Sequence, residues 1–159
     1  MSEIEILSVK PEHRSSFLKA YEKVYSSREE AEAFYGSFLE NGWISTAWKN
    51  SKLVGVLTWM PREAAKCGLA EIIDIWVKAE ERRKGVGGRL INHAVVQMRQ
   101  YYHRFGSNLR KVMLFTGASN RYLAARKLYE KKGFQIVATV PSDTLDNPKY
   151  VEFLYVLQL

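Results

Sequence analysis

An α/β or α+β sandwich, a mixed sheet with helices on both faces, is the fold class this sequence predicts, and three observations predict it. Segments of strand and helix periodicity follow one another in the order β-α-α-β-β-β-α-β-α-β-β. Leu69 to Val77 (LAEIIDIWV) is the most continuous apolar stretch and carries only two charges, Glu71 and Asp74, as a central strand does. A glycine-rich turn follows that strand and feeds a helix. The 159 residues, 47% of them apolar, suit one domain spanning residues 1–159, with no repeat and no long linker to divide it.

Ile4 to Lys10 alternates apolar and polar residues like a first strand. Pro11 then stands where a first helical turn accepts a residue without an N–H, which predicts a helix to about Tyr25. Ser27 and Glu30 have capping-box spacing, and Ala31, Phe34, Tyr35, Phe38 and Leu39 share one face of a second helix that Gly42 ends. Trp43 to Lys49 and Leu53 to Met60 are rich in β-branched and aromatic residues, and Asn50-Ser51 between them is short enough for a hairpin turn. After the central strand, Val86, Leu90, Ala94 and Met98 mark a third helix, and Arg110 to Thr116 returns to a strand. Asn120 to Lys132 is helical, with Gly133 as its left-handed end and Phe134 packing back on the last turn. Gln135 to Val140 and Tyr150 to Leu157 complete the sheet, with the longest irregular stretch, Pro141 to Pro148, before the last strand.

The formal net charge of +7 favours anionic partners such as nucleotides, phosphates or nucleic acid without choosing among them. The single cysteine, Cys67, and an N-terminus without the basic and long apolar segments of a signal peptide fit a cytoplasmic protein. Charges interrupt every hydrophobic stretch, so no membrane partner is expected. His13, His93 and His103 lack metal-ligand spacing, and no metal is expected. Trp43, Trp48, Trp59 and Trp76 are read as core or cleft-lining residues, Trp59 being the one placed to reach an acceptor pocket.

The strongest chemical signal is the run Lys78 to Gly88 (KAEERRKGVGG) between the central strand and the third helix. Such a turn presents several unpaired N–H groups to one anion, which is what a diphosphate requires. Gly85, Gly87 and Gly88 allow close approach of the backbone, and Arg82, Arg83 and Lys84 add positive charge at the same point. Rival phosphate motifs fail on these residues. No Gly-Lys-Ser or Gly-Lys-Thr occurs, and Leu90 stands where a dinucleotide or kinase glycine loop needs its third glycine.

Arg82-x-x-Gly85-x-Gly87 resembles the signature of the GNAT (GCN5-related N-acetyltransferase) superfamily. Ala125 to Phe134 (ARKLYEKKGF) is similar to the family's second landmark, a helix that carries a tyrosine and is closed by Gly-Phe. The resemblance covers roughly Leu53 to Val140. It implies a mixed, mostly antiparallel central sheet of about seven strands with four helices on both faces. It further implies acetyl-CoA as cosubstrate, with the backbone of Ile75 and Val77, flanking Trp76, pairing with the pantetheine arm as an added strand would. Amides from Arg83 through Lys84, Gly85, Val86 and Gly87 to Gly88 would hold the diphosphate. Tyr129 would protonate the leaving thiolate, and backbone N–H near Val77 would steady the oxyanion.

The attacking amine must be neutral, so a base or water chain has to take its proton. Glu71, similar in position to the glutamate base of the family's histone-acetylating branch, is favoured. Asp74 is the alternative, and strand alternation turns it away from Glu71; in the bland reading both acids merely pair with lysines or arginines. Many relatives keep an asparagine seven residues before the tyrosine. Here Tyr122 occupies that position, so Asn120 either contacts the cofactor from a longer loop or is only a helix cap. Phe115 stands where several peptide-acetylating relatives keep a glutamate, which argues against a ribosomal-protein or N-terminal peptide substrate. Cys67 has no sequence partner for an acetyl-enzyme and is read as a bystander.

The expected activity is therefore direct acetyl transfer, in a ternary complex, to a primary amine of a small molecule or peptide. A homodimer is compatible with this and nucleic acid is disfavoured as a partner. The rival classes are a non-catalytic CoA-binding regulatory module and a basic nucleic-acid-binding domain.

Overall fold

A computed structural model of the chain describes residues 3–22, 24–141 and 151–159. Its strands are β1 (Glu5–Ser8), β2 (Ile44–Lys49), β3 (Lys52–Arg62), β4 (Leu69–Val77), β5 (Lys111–Gly117), β6 (Gln135–Pro141) and β7 (Val151–Gln158). Its α-helices are α1 (Arg14–Tyr21), α2 (Arg28–Asn41), α3 (Val86–Arg104) and α4 (Leu123–Lys131). The strands are hydrogen-bonded in the order β1-β2-β3-β4-β5-β7-β6, with β4 and β5 parallel and the β1–β2, β2–β3, β5–β7 and β6–β7 pairs antiparallel. This is the seven-stranded, mostly antiparallel sheet with four helices that the sequence leads one to expect. The expected start of the last strand at Tyr150, and most of the irregular stretch before it, lie outside the described residues. No helix among the described residues is long and apolar enough to cross a membrane.

The backbone divides into two compact units, one comprising the chain up to Met60 with Asp74–Gln97, the other Pro61–Ile73 with the chain from Met98 onward.

In the first unit, β1 is shorter than the alternation of Ile4 to Lys10 suggests. Pro11 opens a 3₁₀ turn (Pro11–His13) rather than an α-helix, and α1 proper ends at Tyr21, four residues before the expected end. The N–H groups of Val24 and Tyr25 both return to the Tyr21 carbonyl, so the helix closes on itself there. The α2 start is as expected at Ser27, whose Oγ accepts from the Glu30 N–H at 3.1 Å. The reciprocal bond differs by one residue: the Glu30 carboxylate accepts from Ser26 N–H instead of Ser27 N–H. Gly42 ends α2 with φ 71°, the left-handed conformation that glycine adopts without a Cβ penalty. Ala31, Tyr35 and Phe38 are buried, but Phe34 is 47% exposed, on the edge of the apolar face.

The β2–β3 hairpin turns at Asn50 and Ser51, φ 49° and 58°, the twist that suits a two-residue connection between antiparallel strands. Gly55 of β3 lies under α3: a Cβ there would sit 3.2 Å from Leu90 Cδ1 and 3.2 Å from the Trp76 carbonyl oxygen. A bare glycine therefore lets the helix seat directly on the sheet. A buried polar network ties the same helix to β2 and β3, with Ser45 Oγ 2.8 Å from both His93 Nδ1 and Gln97 Oε1 and the Trp59 indole N–H donating to Gln97 Oε1 at 3.1 Å. Trp59 is 1% exposed, so of the two readings, core or cleft-lining, it is a core residue.

In the second unit, a short 3₁₀ turn (Ala65–Cys67) leads into β4, leaving Cys67 exposed and unbonded. Gly68 follows with φ 62°, its carbonyl accepting from the N–H groups of Arg110 and Lys111. The Tyr102 hydroxyl donates to the Leu69 carbonyl, fixing the end of α3 against the start of β4. The final α-helix begins three residues late: Asn120–Tyr122 form a 3₁₀ turn before Leu123. Gly133, φ 91°, ends α4 as expected, and Phe134, 2% exposed, donates its N–H to the Tyr129 carbonyl at 3.1 Å.

Candidate active site

The site begins with the sequence of β4. Its residues are alternately well buried up to Ile72, and from Ile73 to Val77 every one is only half-buried, although the strand is central in the sheet. The ladder with β5 runs from Leu69↔Lys111 to Ile72↔Leu114; Ile75 and Val77 lie beyond it. On the β3 side, Lys78 N–H donates to the Val54 carbonyl at 2.8 Å. Backbone groups of successive strand residues point to opposite edges, so those of Ile75 and Val77 point away from β3. The Val77 carbonyl receives the Arg82 Nε–H at 2.8 Å; its N–H is not part of that contact.

After β4 the chain makes a 3₁₀ turn (Ala79–Glu81) and a loop, then enters α3. Glu81 anchors this passage. It is 7% exposed, and its carboxylate oxygens take Lys49 Nζ at 2.8 Å and Lys84 Nζ at 3.0 Å. Those two hydrogen bonds, Lys49 first, hold its pKa below the usual carboxylate range. A buried carboxylate without them would be strongly destabilising. Of the three basic residues expected to add charge at this point, Lys84 is held by Glu81, whose single carboxylate it shares with Lys49.

Arg83 and Gly85 have φ of 61° and 79°, a reversal that sets Gly85 at the threshold of the helix. Open space surrounds the place where a Gly85 Cβ would be. The bond from Arg89 N–H to the Gly85 carbonyl, 3.1 Å, is the first of the helix. The N–H groups of Val86, Gly87 and Gly88 therefore have no intrahelical partner, and the positive end of a 19-residue helix dipole lies at the same point. Arg82 and Arg83 are exposed beside it, and Val86 is buried beneath. Backbone amides without intrahelical partners, exposed guanidiniums and a half-buried strand edge in one unit are a donor set that fits a diphosphate and an extended polar chain.

The other expected residues are in the second unit, except Asp74. Glu71, opposite Met113 on β4, has a side chain 15% exposed, with Oε2 3.2 Å from Arg62 Nε. Burial raises its pKa, and the Arg62 charge opposes that without cancelling it. Tyr129 lies in the last turn of α4, 5% exposed, its ring 6.0 Å from those of both Phe134 and Tyr155. Asn120 is exposed inside its 3₁₀ turn, and the capping position belongs to Ser119, so Asn120 is not a helix cap. Arg126 holds the carbonyls of Gly117 and Ser119 at 2.9 and 2.7 Å, fixing the turn that carries Asn120.

Asp74 departs from the expected pairing with a lysine or arginine. Its Oδ2 accepts from the Tyr21 hydroxyl at 2.7 Å, and the Tyr35 hydroxyl interacts with the same carboxylate. Sequence reading missed these tyrosines as site residues because helical periodicity marks them only as members of an apolar face.

The family model described as the acetyltransferase (GNAT) family matches residues 6–134. No curated protein matches the chain. Among solved structures, an N-acetyltransferase from Staphylococcus aureus is 21% identical, with TM-score 0.76 and 99% of each chain covered. A structure from Arabidopsis thaliana in complex with the bisubstrate analogue CoA-Ac-MVNAL is 19% identical, with TM-score 0.75, covering 98% of this chain and 99% of that one. An acetyltransferase of the family from Streptococcus pneumoniae is 18% identical, with TM-score 0.75, covering 99% of this chain and 100% of the other. At these identities the likeness is one of fold.

Proposed function

Since the chain belongs to the GNAT acetyltransferase family, we propose that it is an acetyl-CoA-dependent N-acetyltransferase acting on a primary amine of a small molecule or peptide by direct attack in a ternary complex. The observation that carries the reading is the set of amides without intrahelical partners at Val86, Gly87 and Gly88, entered through the left-handed Gly85. The family match crosses both compact units, which supports treating residues 1–159 as one catalytic domain.

Acetyl-CoA supplies an activated thioester. The amides from Arg83 to Gly88 bind its diphosphate, with the Arg82 and Arg83 guanidiniums beside them. Ile75 and Val77, on either side of Trp76, pair with the pantetheine amides, Val77 through its N–H because Arg82 occupies its carbonyl. A backbone N–H near Val77 steadies the carbonyl oxygen that gains charge during attack. Glu71 takes a proton from the acceptor ammonium through a chain of water, the neutral nitrogen forms the new C–N bond, and the C–S bond breaks. Tyr129 gives its proton to the thiolate and is reprotonated from the nitrogen of the product through water. One proton per turnover is released to solvent. Asn120, whose turn Arg126 fixes, is a further cofactor-binding residue in this reading.

Cys67, exposed and outside any disulfide, takes no covalent part, and a reducing cytoplasm suits it. The test is release of free CoA thiol from acetyl-CoA over a panel of amines including peptides, polyamines, amino acids and aminoglycosides. Release with at least one amine, and acetylated product in equal amount, is expected; binding of CoA without release for any amine would instead identify a non-catalytic CoA-binding module.

A further inference from the structure

Among the described residues, four glutamates have a cation beside them: Glu32 has Arg14, Glu71 has Arg62, Glu80 has Lys78, and Glu81 has Lys49 and Lys84. Asp74, half-buried on β4, has no such partner among the described residues. Its oxygens are served by neutral hydroxyls: Tyr21 at 2.7 Å, and Tyr35, which also interacts with the Tyr25 hydroxyl. Tyr21 and Tyr35 are 4% and 3% exposed, and burial, with the Asp74 charge, pushes their ionisation well up. They therefore remain neutral donors. Such donors satisfy part of the lone-pair capacity of a carboxylate and bring no positive charge to it.

The surroundings are aromatic. The Tyr35 ring lies 4.7 Å from that of Tyr21 and 5.8 Å from that of Tyr25, and Phe34 beside them is half open to solvent. A half-buried carboxylate whose partners are neutral hydroxyls attracts an alkylammonium by charge. A chain with net charge +7 repels a polycation on average, so a local negative point of this kind is what would admit one.

Position decides which ammonium. Asp74 is adjacent to Ile75 and three residues from Val77, on the order of 10 Å along an extended strand. The reacting nitrogen must be neutral when it attacks, whereas a charge partner for Asp74 must stay protonated. One nitrogen cannot meet both demands. We infer that Asp74, backed by Tyr21 and Tyr35, binds a second ammonium group on the acceptor, so that the acceptor is a small diamine or another amine carrying a further positive charge. The reacting nitrogen in this inference rests on the acetyltransferase reading above; the ammonium site at Asp74 does not.

The experiment compares diaminobutane with butylamine in kinetics and in calorimetry. Wild type should show a KM for diaminobutane about tenfold or more below that for butylamine, the ratio expected for one added charge pair. Asp74→Asn should abolish this preference, leaving the KM values for butylamine and acetyl-CoA within about twofold of wild type. Tyr21→Phe, which keeps the ring, should reduce the preference in part and serves if the first variant does not fold. Equal KM values for the two amines in wild type, or a preference unchanged in the variants, would overturn the inference. If wild type acetylates neither amine, binding decides: heat with diaminobutane that Asp74→Asn loses upholds the site although the acetyltransferase reading has failed, and no heat with wild type overturns it.

Discussion

Arg62 Nε lies 3.2 Å from Glu71 Oε2, and two influences act on that carboxyl in opposite directions: burial raises its pKa and the guanidinium lowers it, with burial the larger effect. A base works only when deprotonated, so the acid limb of kcat/KM should fall above pH 4.5, the ordinary value for this side chain. Replacing Arg62 with Gln removes the lowering influence and should move the limb to higher pH. Glu71→Gln should cut kcat by about a hundredfold with acetyl-CoA binding kept. A pH–rate profile of the three proteins checks this, and a limb that ignores Arg62 would place the base elsewhere.

Tyr129 is packed against Phe134 and Tyr155, so Tyr129→Phe leaves the ring contacts in place. Loss of the hydroxyl should lower turnover by about a hundredfold. The affinity for acetyl-CoA, measured by calorimetry, should change little; unchanged turnover would remove Tyr129 from the role of acid.

His93 is half-buried with Nδ1 2.8 Å from Ser45 Oγ, and burial holds its pKa below 6.5. Below pH 6.5 the unfolded chain takes up a proton that the folded ring resists, so unfolding becomes easier as pH falls. No such effect exists above that pH, where both forms are neutral. Urea unfolding of wild type and His93→Gln at pH 7.5 and pH 5.5 tests the sign: wild type should lose more stability between the two conditions than the variant.

Gly68 combines φ 62° with a backbone neighbour, since an added Cβ would fall 2.3 Å from the Asn108 carbonyl oxygen. Gly68→Ala should destabilise by about 2 kcal/mol or more. For a domain of this size that is a fall in Tm of about 4–8 °C, readable by calorimetry. Gly85→Ala, where open space surrounds the site, should cost only the left-handed strain, about 1 kcal/mol.

The sequence was most informative where a local signal decides the structure. The bounds of β4 follow from the most continuous apolar run, the hairpin from two residues that tolerate positive φ, and the ends of α2 and α4 from Gly42 and Gly133. It was least informative where distant residues decide. The helix after Pro11 stops at Tyr21, whose hydroxyl is engaged by Asp74, 53 residues along the chain. Nothing in the periodicity of α1 announces that partner. Likewise the loop Arg82 to Gly88 was legible from its glycines and its basic residues, but not that Glu81 would hold Lys84 and, from β2, Lys49 on one carboxylate. Trp59 looked free to line a pocket because a strand end is often exposed; its indole instead completes a buried network through Gln97.

Titration calorimetry with coenzyme A tests the central claim most directly, that the start of α3 is a seat for a diphosphate. Saturable one-to-one binding is predicted, with a rise in Tm that at a hundredfold excess over Kd corresponds to about 2.7 kcal/mol, and with weaker binding after Arg82→Ala combined with Arg83→Ala. Absence of heat and of any Tm change at millimolar coenzyme A would contradict it.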